Sequence, residues 1–311
     1  MTTSPLDKLS TLLSRIAAAP SPFYRDRVKA IGRDAAALSR LSLTTRDDLV
    51  LDQLAHLPHG TRRCADAAPP VRAGVTGSGA TLLVLTWTAA DLARERAAGA
   101  RLLGRIGIAA GMRVANTLPG ALVTPGALLL GDVIEEIGAL DVPLGAITSE
   151  AVARGAWELF DRVQPNVLVL DGTAARLLLS VAPPAERPWW WGIVWVQAAG
   201  VAAQCPAPPA AAGFSGWQRT WLAVAEVTSF IAHSCSAGRF HADDELFVEV
   251  VDDTTGATLL AGRDGAIALT PFAVDTPVLR YLSGLRGRIV ATGCPCGAGG
   301  VAIEIAPDRI G

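Results

Sequence analysis

Val167-Leu168-Val169-Leu170 is a run of four apolar residues set between two helical patterns. Successive side chains of a strand point to opposite faces. A strand can therefore be apolar at every position only where both faces of its sheet are covered. Ser149 stands at the N-cap of a helix predicted over Glu150 to Val163, its hydroxyl suited to a free backbone N–H of the first turn. A second helix is predicted over Thr173 to Val181, and a second buried strand over Trp189 to Val196. Helix–strand alternation of this kind, closed by right-handed crossovers, yields a parallel sheet with helices on both faces. The expected fold class is α/β.

The rest of the chain extends that pattern. Leu6, Leu9, Leu12, Leu13 and Ile16 fall at helical spacing, and Pro20 and Pro22 end that helix. A further helix is predicted from Tyr24 to Leu38, and Thr44-Thr45-Arg46-Asp47-Asp48 reads as a cap followed by an acidic first turn. Val71–Val75 and Thr81–Trp87 are predicted strands around a Gly/Ser/Thr turn. Thr88 and Asp91 form a capping box for a helix reaching about Ile106. A strand at Met112–Thr117 and a helix over Pro125–Leu140 follow. Beyond Asp244 the style becomes antiparallel: Leu246–Val251, a turn at Asp253-Thr254-Thr255-Gly256, then Leu259-Leu260 and Ala266–Thr270. This suggests one large unit with a helical entry (residues 1–70), a parallel α/β core (71–240) and an antiparallel segment (241–311).

Half the residues are apolar, so a membrane protein has to be considered. The longest apolar run, Trp189 to Ala203, carries Gln197 and falls short of the roughly 20 residues a spanning helix needs. Met1 to Arg15 contains Asp7, Lys8 and Arg15 without a long apolar stretch, which argues against a signal peptide. A soluble cytoplasmic protein is expected. The net charge is −2, with no Lys/Arg stripe interleaved with aromatics, so nucleic acid is not an expected partner. Of the 27 basic residues only Lys8 and Lys29 are lysines. After position 29 no lysine can neutralise a phosphate or form a Schiff base.

Five cysteines without a secretion signal do not suggest a disulfide framework. Cys64 and Cys205 stand alone and read as small buried apolar residues. The other three are grouped: Cys235 is followed by His241 after five residues, one of them a glycine, and Cys294-Pro-Cys296-Gly297 makes a tight knuckle. Three thiolates and an imidazole satisfy a tetrahedral zinc ion with no open position, which is the structural type of site. Spacing alone leaves zinc and unrelated cysteines both open. His56, His59 and His233 have no partner at catalytic spacing and are expected on surfaces or loops, with His233 the rival to His241 as a ligand.

The order of landmarks carries more. Ser21-Pro22-Phe23-Tyr24-Arg25, then Leu43-Thr44-Thr45-Arg46-Asp47-Asp48-Leu49, resembles the opening of the phenylacetate–CoA ligase family. Val75-Thr76-Gly77-Ser78-Gly79-Ala80-Thr81 stands where that family has its phosphate loop. The segments from Cys235 to Val250, Thr255-Gly256, Gly265 to Ile267, Leu279-Arg280-Tyr281 and Cys294 to Gly297 are similar in sequence and spacing. The resemblance covers roughly residues 18–300. It implies adenylate-forming enzymes, which activate acyl or aryl acids with ATP, and the multi-layered α/β/α fold with a distorted β-barrel of their large N-terminal domain. It favours zinc at Cys235, His241, Cys294 and Cys296. It further implies nucleotide contacts at Thr76, Gly77, Ser78, Gly79, Thr81, Arg280 and Tyr281, and a magnesium ligand at Glu226.

The departures fall on the chemistry. The family's second loop glycine is Ala80 and its lysine is Thr81. Its aromatic-glycine motif reads Leu222-Ala223-Val224-Ala225 ahead of Glu226, and the aspartate that grips the ribose hydroxyls is Leu285. A leucine cannot accept those hydrogen bonds. The chain stops at Gly311, where the family continues into a lid with a catalytic lysine and the coenzyme A tunnel, so the lid is expected to be absent. The expectation is a degenerate ligase-like protein that binds a small acyl or aromatic ligand, or ATP or AMP with magnesium, without efficient acyl activation. Trp189, Trp190, Trp191, Trp195, Trp217 and Trp221 would line its acyl pocket, or simply pack the core. The alternatives are a ligase subunit whose partner chain supplies the lid, and a scaffold that forms a homodimer or pairs with a full-length paralogue.

Overall fold

A computed structural model describes residues 4–32, 34–120, 124–181, 186–198 and 214–306. It opens with helices α1 (Pro5–Ala18), α2 (Arg25–Ile31) and α3 (Arg46–Ala55), followed by the hairpin β1 (Arg72–Thr76) and β2 (Leu83–Trp87). The central part runs α4 (Ala89–Ile106), β3 (Arg113–Asn116), α5 (Ala127–Ile137), β4 (Leu140–Pro143), α6 (Glu150–Val163), β5 (Val167–Leu170), α7 (Gly172–Ser180) and β6 (Gly192–Ala198). Seven strands complete it: β7 (Trp217–Val224), β8 (Thr228–Ser234), β9 (Phe240–Ala242), β10 (Leu246–Val251), β11 (Gly265–Pro271), β12 (Tyr281–Ile289) and β13 (Ala302–Ile305). None of the described helices is long and apolar enough to cross a membrane.

Local chemistry sets most helix starts. Thr45 with Asp48, and Thr88 with Asp91, form reciprocal capping boxes, and the Ser149 side chain accepts from the Val152 N–H. The helix expected from Tyr24 to Leu38 is divided instead. It breaks at Gly32, whose φ of +67° suits glycine, and resumes as a 3-10 turn over Ala35–Arg40.

Eleven strands form one sheet in the order β10-β11-β12-β13-β9-β8-β7-β6-β5-β3-β4. Pairings from β4 through β7 are parallel, and those from β7–β8 onward are antiparallel. The change of style thus begins in the turn after β7, before the residue-240 region where the sequence pattern shifts. Strand β5 explains its own composition: Val167 and Val169 pack with α4 and α5, while Leu168 and Leu170 pack with α6 and α7. Both faces of the parallel half are covered, as a continuous apolar strand requires. On one face α4 comes very close to its neighbours. A Cβ on Gly99 would sit 2.5 Å from Val133 and 2.8 Å from Phe230.

The tryptophans are divided between these two cores. Trp221 is fully buried and stacks on Phe230 at 4.7 Å, while Trp190 and Trp195 pack in the opposite layer. Trp191 is exposed. They do not line one pocket. Leu259-Leu260 is also not a strand: Leu260 is exposed, and only Thr258 bridges to Val251.

One buried ion pair ties the N-terminal helices to the antiparallel half. Arg280, 1% exposed and in the left-handed region at φ 47°, sends Nε to Glu249 on β10 at 3.1 Å. Its remaining nitrogens donate to the carbonyls of Ser39, Leu41 and Gly256. Removing one member of such a pair strands a buried charge, which costs about 3–5 kcal/mol. Arg280→Met is expected to lower unfolding free energy by that order in urea titration. The double variant Arg280→Met/Glu249→Met should recover part of the loss.

Candidate functional site

The turn after β8, strand β9 and the loop between β12 and β13 meet where β9 lies between β8 and β13. There the ligand atoms of Cys235, His241, Cys294 and Cys296 all lie within 4.8 Å of one another. Cys235 Sγ is 3.7 Å from Cys294 Sγ, and Cys296 Sγ is 3.2 Å from His241 Nε2. Zinc–thiolate bonds of about 2.3 Å would set tetrahedral sulfurs about 3.8 Å apart. The donor set and its spacing therefore fit a tetrahedral thiolate-rich metal site.

The surroundings orient these donors. His241 Nδ1 faces the Gly299 carbonyl at 3.4 Å, which leaves Nε2 toward the sulfurs. The Ala298 N–H points at Cys296 Sγ at 3.4 Å, and a backbone hydrogen bond from Cys296 chiefly holds the Cys294 thiol below its ordinary pKa. Gly238 and Gly297 close the two turns at φ +72° and +80°. Glu304 of β13 binds Arg239 beside the first turn. Neither Cys64, buried in the N-terminal core, nor His233 joins the cluster. Cys205 lies outside the described residues. His233 is 5% exposed on β8, not on the surface, and stacks against His241 at 5.7 Å. Burial lowers its pKa to about 4, so the ring is neutral at physiological pH.

The second group forms at the β1–β2 hairpin. Thr76, Gly77, Ser78, Gly79 and Thr81 make its turn, with Gly77 and Gly79 at positive φ. Its interior is filled by a residue from α3. Arg46 Nη2 donates to the carbonyls of Thr76 and Thr81 at 2.9 and 2.8 Å, and Nη1 forms an ion pair with Glu226. A Cβ on Gly77 would collide with this guanidinium and approach the Thr81 carbonyl to 2.6 Å. Two carbonyls of the hairpin thus face a cation.

Tyr281 joins the same group. Burial, then the Glu226 carboxylate, raise its hydroxyl above the usual pKa, and Arg46 opposes them. Arg280, its neighbour, is brought to a different place: its guanidinium is spent on Glu249 and backbone carbonyls. Leu285 is 2% exposed in the antiparallel core. His56 and His59 stay outside both groups, near the carbonyls of Asp52 in α3 and of Gly60 in the loop after it.

The same fold occurs in solved structures. An open conformation of 2-hydroxyisobutyryl-CoA ligase, in complex with 2-HIB-AMP and CoA, aligns with a TM-score of 0.83 at 18% identity. That alignment covers 96% of this chain and 72% of that chain; a separate one with the same ligase in its postadenylation state, in complex with 2-HIB-AMP, covers 96% and 65%. A long-chain-fatty-acid-CoA ligase from Archaeoglobus fulgidus gives a TM-score of 0.56 at 12% identity, covering 76% of this chain and 51% of its own. O-succinylbenzoate coenzyme A synthetase from Bacillus subtilis, in complex with AMP, gives 0.53 at 12%, covering 76% and 49%. The fold is that of the large N-terminal domain of adenylate-forming ligases. No protein-family model and no curated protein matches the chain.

Arg46 is the residue on which the hairpin group depends. Its side chain is 28% exposed against 6% for Glu226, so its loss should cost less than breaking a fully buried pair, about 2 kcal/mol. Arg46→Met is expected to lower the urea midpoint accordingly. Adding Glu226→Gln should restore much of it, because no charge is then left unpaired.

Proposed function

We propose that this chain is a degenerate member of the phenylacetate–CoA ligase group of adenylate-forming proteins. In this reading it binds a small acyl or aromatic ligand, or a nucleotide weakly, without efficient ATP-dependent acyl activation. The observation that carries the reading is the Arg46–Glu226 pair inside the hairpin. Acyl-adenylate formation needs a cation and oriented donors at the phosphates. Here the carboxylate suited to magnesium is paired with an arginine, and that arginine is held by two loop carbonyls. Glu226 does not fit a magnesium site while this pair is intact. Leu285, in the position that would hold the ribose hydroxyls, is enclosed in the core and offers no acceptor. The fold's likeness to ligases that carry AMP adducts supports the ancestry of the site.

The cysteine cluster completes the reading as a structural zinc centre. With four protein donors no position remains for substrate, so the ion would tie the turn after β8 to the loop before β13. The metal that holds the antiparallel half would thus be retained while the phosphate machinery has eroded.

Calorimetry with ATP, AMP and magnesium tests the first part. Binding no tighter than millimolar, and no pyrophosphate release with aryl or acyl acids, is expected. Micromolar magnesium-dependent ATP binding with pyrophosphate release would sink the proposal and favour a working ligase. Metal analysis tests the second part. About one equivalent of zinc is expected, lost in Cys294→Ser/Cys296→Ser together with a lower melting temperature. Folded wild-type protein free of metal would end the zinc assignment.

A further inference from the structure

The four donors of the cysteine cluster fall into two pairs. Cys296 Sγ faces His241 Nε2 at 3.2 Å and takes the Ala298 N–H at 3.4 Å. Cys235 Sγ faces Cys294 Sγ at 3.7 Å, across 59 positions of sequence. Bonded sulfurs are about 2.05 Å apart, so these two need to close by less than about 2 Å to form a disulfide. A bridge inside Cys294-Pro295-Cys296 would instead close a ring around one proline, whose φ is fixed. The pair that can bond is therefore Cys235 and Cys294.

These two thiols sit near the surface on backbones of different firmness. Cys235 and Cys296 are partly exposed, and Cys294 is 9% exposed. Cys235 opens a tight turn, closed by its N–H on the Arg239 carbonyl and by the Gly238 N–H on its own carbonyl. From Ala291 to Gly300, by contrast, every hydrogen bond to the rest of the described chain runs through Cys235 or His241. A side chain added at Gly293, Gly297 or Gly299 would meet nothing within 4 Å. Room for the approach therefore lies on the Cys294 side. Cys64 has the opposite setting: it is 2% exposed, and burial pushes its thiol pKa up to about 11. A reachable thiolate reacts with peroxides, and a buried neutral thiol is inert.

We propose that Cys235 and Cys294 are a redox-active pair, which a hydroperoxide converts to a disulfide that takes over the tie between the turn after β8 and the β12–β13 loop. Thiols that hold a metal are already deprotonated, so both sulfurs are nucleophiles. The Cys235 thiolate, the more exposed of the two, attacks the terminal oxygen of the peroxide. The O–O bond breaks, the leaving oxygen takes a proton and departs as alcohol or water, and Cys235 becomes a sulfenic acid. The Cys294 thiolate then attacks that sulfur. The S–S bond forms, and hydroxide leaves and is protonated to water. The two sulfurs lose two electrons and the peroxide gains them. Cys296 and His241 alone cannot fill four tetrahedral positions, so a zinc ion bound there is released. The turn and the loop stay joined, because the disulfide spans the same two segments. The release rests on the zinc reading given above, whereas the bond needs only the two thiols.

Treating the reduced full chain with hydrogen peroxide, then assaying free zinc with a metallochromic dye and mapping the peptides, tests this. A Cys235–Cys294 linked peptide is expected, together with release of the zinc present beforehand, both reversed by dithiothreitol and added zinc. The oxidised protein should melt above the reduced, chelator-stripped protein by about 5 °C or more, since the bridge restrains the unfolded chain. No rise would overturn the disulfide as a tie. Cys296→Ser should still form the bridge, and its absence from folded Cys296→Ser would overturn the pairing. So would peroxide that links Cys294 to Cys296, joins two chains, or carries single cysteines to sulfinic acid. Protein isolated without zinc would fail the zinc reading alone, and the linked peptide would still be expected from it. Zinc present and retained under peroxide, with no linked peptide, would overturn the proposal and leave that reading standing.

Discussion

The Arg280–Glu249 pair joins parts of the chain that lie far apart in sequence. A guanidinium at the start of β12 satisfies a carboxylate on β10 and carbonyls near residue 40 and at Gly256. Every donor finds a partner, which is the condition under which a buried charge is tolerated. The arrangement needs a non-glycine residue at positive φ, an unfavourable backbone conformation that the network around it holds in place. Around this junction the Thr44 backbone pairs with β12, so the N-terminal helices are attached to the antiparallel half.

The same device recurs elsewhere. Arg46 joins α3, the β1–β2 hairpin and the β7–β8 turn; Arg101 joins α4 to Asp243; Arg15 joins α1 to Asp275. A planar guanidinium can serve several acceptors at once and keeps its charge when buried. A chain almost without lysine thus places its cations as internal ties. At the hairpin the guanidinium of Arg46 is engaged with the Glu226 carboxylate and two loop carbonyls.

The thiolate–imidazole cluster serves the other end of the antiparallel half. Strands β9 and β13 are three and four residues long, too short to hold the edge of a register firmly by backbone bonds alone. Donors from His241 on β9 and from the flanking turns would fix their relative position more firmly than the ladder could. Its solvent-side pair, Arg239 and Arg288 on Glu304, adds a weaker tie.

Much of the architecture is legible in local sequence. The cap at Thr44-Thr45, the capping box at Thr88, the Ser149 cap and the doubly buried run Val167–Leu170 act through neighbours within a few positions, and the structure places each as the pattern implies. The metal-type cluster is legible too, because its donors sit in two short motifs. Strands β7, β8, β9, β12 and β13 are not marked, since their register depends on partners far along the chain. The tertiary structure alone decided that Arg280 ties β10 to the carbonyls near residue 40, that His233 is buried, and that Arg46 fills the hairpin from 30 residues away. These outcomes depend on which charges meet across long separations. The sequence sets which groups are available, and the fold sets which of them find partners.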